Sequence, residues 1–234
     1  MKKVNKQKLL YVLTFVVAFC SIAYELALGQ ALSLFLGNTI LRFSVTIGIY
    51  MFAMGVGAMI AEGEIVKRKT ISFMTIETLL VVIGGFSPIF LFFAHSFLGE
   101  GMAFLILALF LILIIGILTG FEIPLLMALN IQDKKNNNED GKILGIDYLG
   151  AFVGSLVFAL IFYPKFGLLQ TTFFIGFLNC IVGIIFYLQW GAKEKKQYFI
   201  KKLFGLQICL FLVLAMTFVF AEKINEMMIN IYLK

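Results

Sequence analysis

GILTGFEIPLLMALNIQDKKNNNEDGKILGIDYLGAFVGS, residues Gly116–Ser155, is the stretch on which the reading of this chain turns. A near-continuous apolar run meets Glu122 and Pro124, breaks into a lysine- and asparagine-rich loop, and resumes as apolar sequence bearing Asp147. Two carboxylates therefore flank one polar loop, each set against sequence that reads as membrane-embedded. An acid held in hydrocarbon costs about 2.5 kcal/mol or more, so it is expected to have a partner or a task.

Composition carries the membrane reading to the whole chain. Of its 234 residues 62% are hydrophobic, 27 are Phe and only 14% are charged, with a mean hydropathy of +1.03. Soluble domains run at about 25% charged residues. At about 20 helical residues per crossing, the fold expected is an all-α, polytopic bundle of about seven transmembrane helices.

The spans fall at about 9–35, 43–61, 71–93, 102–120, 143–163, 168–188 and 199–221. Residues 1–221 thus form one transmembrane domain, 222–234 a short amphipathic tail, and no soluble domain is expected. Gly29 suggests a bend in span one, and Gly84, Gly85 and Pro88 a kink in span three. The residue before Pro124 is pushed towards extended geometry, and Pro164 ends span five. Small-residue pairs (Gly116 with Gly120, Gly150 with Gly154, and Gly48, Gly55 and Gly57 in span two) suit close helix contact. In the tail, Ile224, Met227, Met228 and Ile231 recur at helical spacing, as on a helix lying along a membrane surface.

The net charge of +6 does not point to nucleic acid, because the basic residues lie in short runs between apolar segments. The amino terminus and the loops 62–70, 131–142 and 191–202 carry 4, 3, 3 and 5 Lys or Arg, whereas the intervening loops hold only Arg42 and Lys165. Positive loops stay inside, so the chain is expected in the cell membrane with a cytoplasmic amino terminus. Seven spans then put the carboxyl terminus outside. The start MKKVNKQK is not read as a cleaved signal, since the apolar run continues to about Leu36 without an A-x-A site.

Orientation sets Glu77, Glu122 and Asp147 at similar depth near the cytoplasmic ends of spans three, four and five, an acidic cluster suited to a cation or an amine. Three readings of these acids stay open: helix capping or pairing with Lys67 or Lys142, a ligand or ion site, and a proton relay. Glu25 and Arg42, nearer the outer side, form either an aligning ion pair or a ligand contact. Asn179 and Gln207 are expected to bond between helices, His95 to be solvated in an outer turn, and Cys20, Cys180 and Cys209 to be small core residues. No phosphate-binding loop, dinucleotide fingerprint, nucleophile elbow or zinc motif occurs, and no cofactor or metal site is expected.

Three stretches carry a family resemblance: YELALGQALSLFLGNTILRFSVTIGIYMFAMGVGAMIAE from Tyr24, GFEIPLL from Gly120, and DYLGAFVGSLVFALIFYPKFGLL from Asp147. Together they resemble the membrane domain of multi-pass spermidine-synthase-like proteins, polyamine aminopropyltransferase homologues that fuse membrane helices to an enzyme domain. The resemblance implies aminopropyl transfer from decarboxylated S-adenosylmethionine to putrescine by a Rossmann-like domain. No position here matches that domain's glycine-rich loop or catalytic aspartate, so no catalytic residue is assigned. The expectation is a membrane-embedded domain without catalysis of its own, which anchors or assists a separate soluble aminopropyltransferase-like subunit. The alternative is a transporter of polyamines or other cations.

Overall fold

The computed structural model describes residues 3–61, 66, 68–130, 139–193 and 197–232. These are almost wholly helical, in the order α1 (Lys3–Leu36), α2 (Thr39–Ile60), α3 (Lys69–Gly85), α4 (Ser87–Leu98), α5 (Met102–Gly120), α6 (Glu122–Asn130), α7 (Glu139–Val157), a π segment (Phe158–Phe162), α8 (Tyr163–Gln189), α9 (Gln197–Val219) and α10 (Ala221–Tyr232). Five helical stretches are long and apolar enough to cross a membrane, and the bent pair α3 and α4 makes a sixth. One of the five, Asp140–Gln189, is 50 residues long, over twice what one crossing needs.

The breaks between helices follow local chemistry. Between α1 and α2 the chain reverses through Gly37 and Asn38, both at positive φ, and the Asn38 side chain accepts from the Leu41 amide at 3.3 Å. That is the work of an N-cap. The expected bend at Gly29 does not occur, because α1 continues through it to Leu36 and the Phe43 ring lies against it. The expected kink in span three does occur. Pro88 sits in the first turn of α4, where its missing amide is harmless, and α3 meets α4 at 47°.

Two prolines act less abruptly than their sequence context suggests. Ile123 is helical, not extended, because Pro124 falls in the first turn of α6, where proline is tolerated. Pro164 likewise lies in the first turn of α8, preceded by the π segment, and the break comes later, at Gly167 (φ 69°, ψ −175°). That conformation is cheap only for glycine.

Close helix contacts rest on small residues. A side chain at Gly154 would meet the Phe19 carbonyl oxygen of α1 at 2.8 Å, and one at Gly150 would strike the carbonyl of Phe15. Gly57, Gly116 and Gly120 join α2 to α5 in the same way, whereas Gly48 and Gly55 face open space. The expected interface role therefore falls to Gly57 alone in α2. Gly85 and Gly176 meet between α3 and α8, where Phe73 also lies 4.3 Å from Phe186, ring to ring.

Other side chains depart from their sequence reading. His95 is buried rather than solvated, stacked on Phe35 at 4.9 Å with Phe104 edge-on at 5.0 Å, because α4 runs on to Leu98 and carries it inward. Gln207 donates to Thr78 at 3.2 Å as expected, but the carbonyl oxygen of buried Asn179 has no partner among the described residues. Cys20 and Cys180 are core residues, while Cys209 is exposed on the outward face of α9. In α10, Ala221 is buried and Ile224 half-buried against a cluster that includes Leu169 and Phe173. The side chains of Met228 and Ile231 lie outside the described residues, as do most of the polar loop after Asn130 and the segment carrying Glu62, Glu64 and Lys67.

Candidate functional site

Helix α6 is the short element around which the acids gather. It touches α1, α2, α3, α5 and α7, and it is fixed at both ends. At its start the Phe121 amide bonds back to Ile117 at 3.3 Å and Leu118 at 3.2 Å. At its end the Lys69 ammonium donates to the Ala128 carbonyl at 2.6 Å, where a cation suits the carbonyl-rich terminus.

Glu122 occupies the first turn of α6, so its carboxylate also faces a favourable helix N-terminus. Of the three acids expected to cluster, only Glu122 fits the capping reading. Asp147 and Glu77 each lie eight residues beyond the first residue of their helices, α7 and α3, past the first turn in which exposed amides are available.

A cavity of about 70 Å³ opens beside Glu122, and Asp147 and Glu25 line it together with Ser21 and Thr119. It follows α1 from Ala18 to Glu25, roughly 10 Å at 1.5 Å per residue. Three carboxyl-bearing residues, from α1, α6 and α7, thus line one slot. Among the described residues no group of three or more His, Cys, Asp or Glu is arranged to hold a metal ion. At about 10–15 Å³ of cavity per water, the slot takes a few waters or an ammonium head.

The structure redistributes the expected site. Glu122 and Asp147 lie within electrostatic reach of one another. Glu77 is also within reach of Glu122, but it does not line the cavity. It is 0% exposed, with neither carboxylate oxygen partnered among the described residues, and the Cys20 and Cys180 thiols and the Tyr24 phenol lie within its field.

Glu25 takes the third place in the cavity, and the expected ion pair with Arg42 is not formed among the described residues. Helices α1 and α2 run antiparallel, with Ser21 beside Tyr50 and Gly29 beside Phe43. Arg42 is thereby placed about a helical turn beyond Glu25, and its Nε is buried without a partner.

Sequence reasoning missed the neutral polar groups of the site. The Tyr50 hydroxyl donates to the Ser21 carbonyl at 3.0 Å and lies 3.4 Å from the Ser21 hydroxyl. The Thr119 hydroxyl donates to Gly116 at 3.0 Å. Isolated Ser, Thr and Tyr in apolar helices give no signal until the helices are paired. The arrangement can hold a small cation, or the cationic end of a longer one, between carboxylates.

No protein-family model matches the chain, and no solved structure matches it. It is similar over most of its length to proteins named polyamine aminopropyltransferase. The protein of that name from Leptospira interrogans is 35% identical over 186 residues, covering 80% of this chain and 36% of the relative. Polyamine aminopropyltransferase 1 of Ralstonia nicotianae is 38% identical over 183 residues, covering 77% and 34%. The Oceanobacillus iheyensis protein is 31% identical over 201 residues, covering 85% and 38%. The chain spans about a third of the length of these relatives.

Proposed function

We propose that this chain, related to polyamine aminopropyltransferases, is a membrane-embedded domain that anchors or assists a polyamine- or S-adenosylmethionine-related enzyme and performs no catalysis itself. In this reading the helices make seven crossings: the five long stretches and the bent pair, with the 50-residue stretch divided at Gly167 into two. The amino terminus is cytoplasmic, as the lysine-rich loops suggest. The relationship covers about four-fifths of this chain and only about a third of its relatives, which supports a module shared with longer proteins.

One observation carries the reading beyond kinship: Glu25, Glu122 and Asp147, from three separate helices, line a single slot. Carboxylates so placed favour a cation, and the slot's size favours a terminal ammonium. An amine substrate held there by one end could be kept near an associated enzyme. Extraction in mild detergent followed by co-purification tests this. A soluble aminopropyltransferase is expected to accompany the protein, and its consistent absence sinks the proposal.

Transport of polyamines or other cations is the second reading, favoured by the same acids together with the 47° bend between α3 and α4. Uptake of labelled putrescine or spermidine into proteoliposomes separates the two. Uptake that survives Glu122→Gln and Asp147→Asn together removes the slot as its route.

A further inference from the structure

We propose that the cavity between α1, α4, the Gly167 break and α10 is a binding site for a phospholipid with a zwitterionic, primary-amine headgroup of the phosphoethanolamine type. The inference rests on the membrane reading above, but it concerns a different part of the molecule.

The cavity has a volume of about 560 Å³, within the roughly 300–1,000 Å³ usual for small-ligand pockets and far larger than the acidic slot. Three local features open it. Pro88 starts the bend that carries α4 away from the line of α3, Gly167 breaks the chain between Lys165 and Gln170, and α10 crosses over the resulting gap through Ala221, Glu222 and Asn225. A side chain added at Gly167 would meet nothing within 4 Å, so the glycine serves the turn and leaves the space unfilled.

The lining divides into two chemical parts. Phe35, Phe92 and Leu169 provide an apolar wall, while Lys165 and Glu222 bring opposite charges to the same cavity. Those charges do not satisfy each other: neither residue takes part in an ion pair among the described residues. Lys165 is also one of only two basic residues in the loops on its side of the predicted topology, the other being Arg42.

A ligand that meets both charges must carry an anion and a cation, and one that covers the wall must carry an apolar part. An ethanolamine phospholipid presents phosphate to Lys165, ammonium to Glu222 and acyl chain to the aromatic wall. In the membrane reading the cavity lies where the crossings end, at the depth where headgroups reside. An anionic lipid would answer Lys165 but leave Glu222 facing like charge.

The protein is first checked for retention in membranes after a carbonate wash, then extracted, purified and placed in nanodiscs of phosphatidylethanolamine mixed with phosphatidylglycerol. Bound lipid is identified by native mass spectrometry. Phosphatidylethanolamine is expected to be retained preferentially, with Lys165→Glu or Glu222→Lys each lowering retention roughly tenfold, the loss of one charged hydrogen bond. The double charge exchange is expected to restore part of that loss, which a mere folding defect would not allow. Soluble phosphoethanolamine is expected to give no comparable thermal protection. Equal retention of phosphatidylglycerol, unchanged retention in the single variants, or equal protection by the free headgroup overturns the lipid site while leaving the membrane reading intact. Release of the protein by the carbonate wash overturns both.

Discussion

The Tyr50 hydroxyl reaches across from α2 to donate to the main-chain carbonyl of Ser21 at 3.0 Å, tying the wall of the acidic slot to the neighbouring helix. Both residues are buried. Tyr50→Phe is expected to cost about 1 kcal/mol, a fall in melting temperature of about 2–4 °C for a domain of this size. Thermal unfolding of the two detergent-purified proteins checks this, and an unchanged midpoint would show that the bond contributes nothing.

Gly154 and Gly55 offer a paired comparison. The first has the backbone of α1 against it and the second faces open space. Gly154→Val must push α1 and α7 apart, costing about 1–3 kcal/mol as other overpacked contacts do. Gly55→Ala is expected to be neutral or slightly stabilising, since alanine is the better helix former by about 1 kcal/mol. Equal effects in side-by-side melting curves would refute the close contact.

Glu77 is wholly buried with neither oxygen partnered among the described residues, a costly condition for a carboxyl group. Glu77→Met, of similar length and apolar, is expected to raise stability by about 1–3 kcal/mol. A clear drop in the melting temperature would mean that the acid is held by a proton network or a bound ion.

The acids differ in access, and ligand response should expose the difference. Glu122 lines the slot whereas Glu77 does not. Thermal protection by butylammonium is expected to fall roughly tenfold in Glu122→Gln, the cost of one charged interaction, and to remain within twofold in Glu77→Met. Protection that tracks Glu77 instead would move the cation site into the helix core.

Much of the fold could be read from the chain because hydropathy marks helices and Gly84, Gly85 and Pro88 mark the bend between α3 and α4. The contacts of Gly116, Gly120, Gly150 and Gly154 followed from size alone. The departures share one cause, which is that spacing along a helix does not tell which way that helix is turned. Glu25 and Arg42 sit on adjacent helices, yet the register fixed by Ser21 with Tyr50 separates them and gives Glu25 to the slot. His95 looked like an outer-turn residue, but α4 is long enough to carry it beneath Phe35. Pro124 and Pro164 were read as breaks, and both were absorbed in a first helical turn.

The contact of Gly150 and Gly154 with α1 imposes an order of assembly. Helix α1 is made before α7 and cannot complete its packing until the chain has been made beyond Ser155. At about 5–20 residues per second that delay is on the order of ten seconds. During it Ser21 and Glu25 must be tolerated without their final neighbours, a burden that falls on nascent α1.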